Sequence, residues 1–218
     1  MDTRWQMADG LRRATQSIRE MLRWRPEAPH TAVMWLSYLA GGWALLYALY
    51  RGYYALGGTF GMFGTPVSQS QWQLINAIGA AVILCAAVLP VATMQLWHNP
   101  RARVVLLTIG WVIAVGCVMH GLIDDITRLL SIAGVLRMEF PFFVPGSVDR
   151  RASDLQDLFL NEPWFLGEGL LWGALCWVHL TSARARRWWL ASALAAVVAL
   201  TIIGLLSSTG IIGRFIIA

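Results

Sequence analysis

The sequence contains no lysine, only three cysteines and few charged residues for its length. Charged residues make up 13% of the 218 residues and apolar residues 57%, whereas a typical soluble domain is about a quarter charged and about half apolar. Intrinsic disorder is excluded, because so much apolar surface would collapse in water. Three cysteines in a chain of this length also exclude a disulfide-stapled secreted fold.

All 17 basic residues are arginine. We attribute the missing lysine to a GC-rich coding bias, which favours a bacterial origin. The net charge of +5 therefore does not require a nucleic-acid partner, and we predict none.

Long apolar runs predict five membrane-spanning helices. A bilayer-crossing helix needs about 20 mostly apolar residues at 1.5 Å of rise each. The stretches of that length are residues 32–50, 74–97, 104–123, 163–181 and 188–207. Tryptophans stand at several of the predicted ends, where indole rings prefer the lipid headgroup region. The predicted fold class is therefore an all-α, polytopic integral membrane helix bundle of about five transmembrane helices.

The distribution of arginine predicts the orientation of these helices. Residues 1–31 hold six arginines, residues 98–103 hold two and residues 182–187 hold three, against six on the opposite side. Because cytoplasmic segments carry the excess of positive charge, the N-terminus is predicted to be cytoplasmic. Residues 1–31 lack the apolar core of a secretory signal peptide, so we expect a multi-pass protein of the bacterial plasma (inner) membrane.

Two regions follow from this topology. Residues 1–31 are predicted to be a cytoplasmic basic segment, either an amphipathic helix at anionic lipid or a basic tail that only sets the topology. Residues 32–218 form the five-span membrane domain, with an outer loop at 124–162. That loop has seven acidic residues against four arginines and is the segment predicted to dock a protein partner. Membrane lipid is the other predicted partner.

Ionisable groups at membrane depth are costly, by at least about 2.5–3.5 kcal/mol at the bilayer centre, and here they lie near the outer ends of the spans. His120 and Asp124 are four residues apart, so they share a helix face and can hydrogen-bond. Glu168 lies about 7.5 Å below the predicted start of its helix at Pro163, where Glu162 is expected to act as the cap. We predict Glu168, His120 and Asp124 as catalytic acid and base candidates. The alternative is that Glu168 pairs with Arg51 or Arg128.

Aromatic residues form a second candidate feature, on the first helix. Trp43, Tyr47, Tyr50 and Tyr54 recur at steps of four, three and four, which places them on one helix face. Such a stripe can line a cavity for a flat or polyunsaturated lipid, or it can be ordinary helix packing. We predict that three residues of the stripe and two polar residues near the outer ends of the first and second helices bind substrate. These residues are Trp43, Tyr47, Tyr50, Arg51 and Asn76.

Metal and cofactor motifs are missing from the sequence. There is no HExxH or CxxC motif, and His120 with Asp124 supplies only two of the three or four ligands that a metal needs. Nothing in the spacing requires Glu168 as a third ligand, so we predict no metal and no cofactor. Gly169 and Gly173 form a GxxxG motif that allows close helix approach, either within the monomer or in a homo-oligomer.

Two segments carry a resemblance to known sequences: residues 53–61 (YYALGGTFG) and 161–173 (NEPWFLGEGLLWG). They resemble an uncharacterised family of small actinobacterial multi-span membrane proteins, which have a YWALGG-like segment after the first span and an EPW-like start to the fourth. This chain has Tyr54 where the family has Trp, and Glu168 where it has Gly or a neutral residue. The resemblance implies a bacterial membrane protein and no particular activity.

Two functional hypotheses remain from the sequence. The first is a non-catalytic membrane subunit whose loop at 124–162 binds a partner. The second is a cofactor-independent acid/base enzyme, or a binding protein, that acts on a lipid or isoprenoid in an outer-leaflet pocket, for example as an isomerase or cyclase. The sequence slightly favours the first, because composition and fold do not establish catalysis.

Overall fold

The structure is a computed structural model that describes residues 30–96, 99–136 and 147–213. Within these ranges the chain is almost entirely helical. The elements in chain order are α1 (His30–Ala55), β1 (Gly64–Thr65), α2 (Gln69–Leu96), α3 (Pro100–Ile132), β2 (Ser147–Val148), α4 (Arg150–Gln156), a π-helical turn (Asp157–Asn161), α5 (Glu162–His179) and α6 (Ala183–Ser208). The predicted amphipathic helix in residues 1–31 falls almost wholly outside the described residues.

The predicted membrane bundle is confirmed as an all-α fold. Four helices, α1, α2, α3 and α6, are long and apolar enough to cross a membrane. The predicted fourth span corresponds to α5, whose 18 residues extend over roughly 27 Å. This helix contains two glutamates and a histidine and is not one of the four candidate spans. The protein is therefore a multi-pass membrane protein by its architecture.

Glycines allow the helices to approach closely. Helix α1 packs along α2, α5 lies against both α1 and α3, and α6 packs on α3. A Cβ atom on Gly41 would lie 2.7 Å from the backbone oxygen of Ala87 in α2. A Cβ atom on Gly169 would lie 2.7 Å from Val118 Cγ2 in α3. The GxxxG motif thus contributes to packing inside the chain at Gly169.

The described parts of the segment 124–162, which is predicted as an outer loop, are largely helical. Helix α3 continues to Ile132, and the second half of the segment is α4 and the π-helical turn. Asp149 caps α4 by accepting a hydrogen bond from the backbone N–H of Ala152 at 3.0 Å. The described parts of this segment bury several charged side chains against the bundle, so they form a packed cover rather than a free loop.

The predicted helix start at Pro163 lies one residue after the start of α5 at Glu162, and Pro163 stands in the first turn of that helix. The chain is already helical before it, through α4 and the π-helical turn. Pro163 lacks an N–H group and cannot make the regular bond of an α-helix interior, and the wider turn directly before it accommodates that missing donor. Glu162 consequently makes no cap, and no side-chain cap is present at the start of α5.

Candidate functional site

We call the outer end of the bundle the end that contains Ala55, Gln69, Ile132 and Glu162. Its outward orientation is the prediction from the arginine distribution. The described parts of the two loops at this end are joined by β1 and β2, which pair antiparallel with Gly64 opposite Val148. This pairing holds the loop between α1 and α2 against the segment that leads into α4.

Three ionisable side chains converge at the outer end, between α3 and α5. His120 Nε2 lies 3.6 Å from Asp124 Oδ2 on the same helix, as the spacing predicts. The same nitrogen lies 3.8 Å from Glu162 Oε2 on α5. Asp124 and Glu162 are buried, whereas 43% of the His120 side chain is exposed. The arrangement is an accessible imidazole placed over two buried carboxyl groups.

The Glu162 oxygen at this site has no hydrogen-bond partner among the described residues. Glu162 is 3% exposed, and its Oε2 makes no hydrogen bond with any residue that the structure describes. A buried polar atom without a partner costs about 1–3 kcal/mol, and a charged one costs more. The Glu162 carboxyl group therefore requires a proton, a cation or a bound polar group at this position.

A buried ion-pair network adjoins these groups. Arg128 donates to Asp154 at 3.1 Å through Nη1 and lies 2.8 Å from Asp157 through Nη2. Ser131 donates to the other oxygen of Asp154 at 2.6 Å. This network joins α3 to α4 and to the π-helical turn. It occupies both terminal nitrogens of Arg128 on carboxylates other than Asp124 and Glu162.

Negative charge is thus in excess at this end of the bundle. Four buried carboxyl groups (Asp124, Asp154, Asp157 and Glu162) lie around the guanidinium of Arg128, the one buried guanidinium among the described residues at this end. Burial raises the pKa of Asp157, although the nearby Arg128 opposes the rise. At the outer end, before the predicted span, burial together with the Asp124 and Asp157 carboxylates raises the pKa of Glu162 to about 9. Glu162 is therefore protonated at neutral pH unless a cation lies beside it.

Aromatic side chains surround the imidazole and connect α5 to α1. His120 packs edge-on against Phe165, with 4.5 Å between ring centroids. Phe165 in turn contacts Tyr47 at 5.4 Å, and Tyr47 stacks on Tyr50 at 5.7 Å. This series of ring contacts leads from the His120 imidazole to the outer part of α1.

The deeper part of the aromatic stripe has a packing role. Trp43 and Trp164 stack with 4.6 Å between ring centroids. Each indole donates to the other residue's backbone carbonyl, at 2.9 Å from Trp43 and 3.2 Å from Trp164. Trp43 and Tyr47 therefore fill the α1–α5 interface.

The outer part of the stripe lines an open cleft of about 510 Å³. Its lining is mostly apolar and comprises Tyr50, Tyr53, Tyr54, Phe60, Gly61, Gln156 and Leu160. Gln156 donates to the hydroxyl of Tyr50 at 3.0 Å. The hydroxyl of Tyr53 accepts hydrogen bonds from the backbone N–H groups of Thr59 and Phe60. These contacts fix the loop between α1 and α2 over the end of α1.

The remaining predicted site residues lie elsewhere. Glu168 is buried, and its Oε1 accepts a hydrogen bond from Trp172 Nε1 at 2.8 Å. The predicted alternative partner of Glu168, Arg128, is bound to Asp154 and Asp157 instead. Glu162 rather than Glu168 thus joins His120 and Asp124, and a catalytic role for Glu168 stays a prediction.

Arg51 of α1 lies against α2, and Asn76 is on α2. A Cβ atom on Gly79 of α2 would lie 3.4 Å from Arg51 Nε. Asn76 is fully buried one turn earlier on α2 and donates to the backbone oxygen of Trp72 at 2.8 Å. The role of Arg51 and Asn76 in substrate binding stays a prediction.

Sequence reasoning missed Glu162 as a member of the cluster. A usable signal was depth, because Glu162 and His120 both stand near the outer ends of predicted helices. That signal does not say which helices are neighbours, and the contact needs α3 beside α5.

Comparison of the chain with family models, with curated proteins and with solved structures gives no match.

Proposed function

We propose that this membrane protein binds an amphipathic, lipid-like molecule at the outer end of the bundle and acts on its polar part through His120, Asp124 and Glu162. The observation that carries the proposal is the half-exposed imidazole held 3.6 and 3.8 Å from two buried carboxyl groups. Carboxyl groups beside a histidine orient its imidazole and set its tautomer. An accessible imidazole so placed is suited to transferring a proton to or from a bound molecule.

The tyrosine cleft supplies a place for the apolar part of such a molecule. Its volume of about 510 Å³ lies within the range of small-molecule sites, which is about 300–1,000 Å³. Its walls are aromatic and aliphatic, and the ring series through Tyr50, Tyr47 and Phe165 leads to His120. A molecule with an apolar chain in the cleft would have its polar or unsaturated end directed toward the imidazole.

An isomerisation is the reaction class that these groups fit best. It removes a proton from one position of a lipid or isoprenoid and adds a proton at another, so no oxidant or reductant is consumed. Glu162, protonated at neutral pH, can donate, while the His120–Asp124 pair can accept. This is the acid/base hypothesis of the sequence analysis, with Glu162 in the position that Glu168 was predicted to take.

Co-purifying lipids would test the proposal. The full chain would be extracted into nanodiscs from native membranes and its bound lipids identified by mass spectrometry. Leu160→Trp fills the cleft, and Leu155→Trp is the matched control because that leucine is exposed on α4 and lies outside the lining. We expect a specific lipid in wild type and control, and at least about tenfold less in Leu160→Trp, a change of about 1.4 kcal/mol.

His120→Gln provides the chemical arm of the same experiment. We expect this variant to retain a lipid-like molecule in the cleft but in an altered proportion of isomers, because binding remains and proton transfer is lost. Identical lipid profiles in wild type, Leu160→Trp and His120→Gln would contradict the proposal.

The second candidate is the non-catalytic membrane subunit, and one observation favours it. Arg128 pairs with Asp154 and Asp157, and Ser131 donates a hydrogen bond to Asp154. Such mutual pairing is typical of polar groups that only hold helices together. Under this hypothesis the exposed charges of α4, such as Arg151, would bind a protein partner. A partner that co-purifies with wild type and is lost in Arg151→Glu, with no specific lipid in any sample, would favour this candidate.

A further inference from the structure

The three groups between α3 and α5 have the composition and spacing of metal ligands. One ligand atom from each of His120, Asp124 and Glu162 lies within 4.8 Å of the other two. When metal–ligand bonds are about 2.1 Å long, two ligand atoms of a tetrahedral ion are roughly 3.4 Å apart. The distances of 3.6 and 3.8 Å from His120 Nε2 to the two carboxylate oxygens differ from that spacing by a few tenths of an ångström.

A second observation is independent of the spacing. Glu162 is more than nine-tenths buried, and its Oε2 points at His120 without a hydrogen bond from any described residue. Such an atom is costly to keep in a folded protein unless a ligand satisfies it. A cation at the cluster would accept this lone pair and remove the cost.

The charge balance points in the same direction. Four buried carboxyl groups lie around Arg128, and that guanidinium is directed at Asp154 and Asp157. Asp124 and Glu162 are left with His120 as the nearest basic group. Buried charges are normally paired or coordinate metal ions, and a divalent cation would neutralise both carboxylates.

We propose that His120, Asp124 and Glu162 bind one divalent first-row cation of the Zn²⁺ or Mn²⁺ class. Imidazole with carboxylates is a ligand set that suits these ions. Three protein ligands with an exposed imidazole leave a coordination position open to a bound molecule, as in catalytic rather than structural sites. The inference rests on the proposed function for its role. With the ion bound, His120, Asp124 and Glu162 would serve as ligands in place of acid and base, and the ion would polarise an oxygen of the lipid-like molecule or activate a water that exchanges the proton.

Metal binding to the full chain in nanodiscs would test the site. The protein would be purified with a histidine-free tag, stripped with a chelator and titrated with Zn²⁺, with bound metal counted by mass spectrometry. We expect about one ion per chain, and affinity at least about tenfold weaker in Glu162→Gln and Asp124→Asn. Glu168→Gln is the matched control, because it makes the same substitution at a buried glutamate of α5 outside the cluster.

Two further readouts separate loss of a ligand from loss of folding. Co²⁺ in place of Zn²⁺ should give visible absorption bands in wild type and in Glu168→Gln, and none in Glu162→Gln. Glu162→Asp keeps a carboxylate and should retain weaker binding with the same bands. Equal Zn²⁺ affinity in wild type and a well-folded Glu162→Gln, or no binding by wild type, would overturn the inference.

The outcomes also separate this inference from the proposed function. If Zn²⁺ does not bind but Leu160→Trp still removes the lipid, the cation site is refuted and the lipid function stands. If Zn²⁺ binds and no variant changes the lipid profile, the cation site stands and the proposed lipid function fails.

Discussion

At the scale of single residues, Arg128 is notable because one buried guanidinium compensates the charge of two carboxylates. It is buried and lies at 3.1 and 2.8 Å from two buried carboxylates. Removing one partner of a buried ion pair is far more costly than the net value of the pair, because a charge is left without compensation. Here the loss of one guanidinium would leave two such charges.

We therefore expect Arg128→Met to destabilise the protein by about 3–5 kcal/mol. Arg151→Met is the control, because that arginine is exposed on α4, and exposed pairs contribute only about 0–1 kcal/mol. Unfolding in mild detergent, followed by tryptophan fluorescence, would measure both. Equal midpoints for the two variants would show that the network does not support the fold.

The residues of the site were only partly predictable. The His120–Asp124 contact is local, since four residues on one helix always share a face, and the structure contains it. The contact with Glu162 joins residues 42 positions apart and exists only because α3 lies beside α5. Glu168 carries the same carboxyl group but lies six residues further along α5, where its Oε1 accepts a local hydrogen bond from Trp172.

At the scale of elements, apolar length was sufficient to predict the helices but not their ends. The predicted spans 32–50 and 104–123 lie inside α1 and α3, which run from His30 to Ala55 and from Pro100 to Ile132. A hydropathy pattern reports what is buried in lipid, whereas a helix continues wherever its backbone can hydrogen-bond. Pro163 likewise predicts a helix start, whereas in the structure the helical backbone continues through the π-helical turn before it.

Close packing of α1 on α2 yields a prediction at this scale. A Cβ atom on Gly41 would lie 2.7 Å from a backbone oxygen of α2, whereas one on the neighbouring Gly42 would meet nothing within 4 Å. We expect Gly41→Ala to lower the free energy of unfolding by about 1–3 kcal/mol, because the backbone of α2 must move. Gly42→Ala should leave the free energy of unfolding unchanged or raise it by up to about 1 kcal/mol, because alanine has the higher helix propensity. Thermal unfolding of the two variants measures the difference, and similar stabilities would mean that the helices are less tightly packed than described.

At the scale of the whole molecule, the order of the helices decides which predicted site residues meet. Helix α5 lies against both α1 and α3, whereas α2 packs along α1. Arg51 therefore lies against α2 and Asn76 lies on α2, while the imidazole cluster is at the α3–α5 interface. The sequence has no signal for this order, because lipid-facing and helix-facing positions are both apolar when the surrounding solvent is a bilayer.

The arginine distribution predicts that the imidazole cluster faces the outside of the cell, and cysteine labelling can test this. In a chain with Cys85, Cys117 and Cys176 replaced by alanine, a single cysteine would be placed at Ser70 or at Ala183. Both positions are exposed, and they start helices at opposite ends of the bundle. Because the positive-inside rule places residues 182–187 in the cytoplasm, a membrane-impermeant maleimide should label Ser70→Cys on intact cells. It should label Ala183→Cys only after the membrane is permeabilised. The reverse pattern would place His120 and the tyrosine cleft at the inner leaflet, and the lipid proposed to bind there would then have to come from the cytoplasmic side.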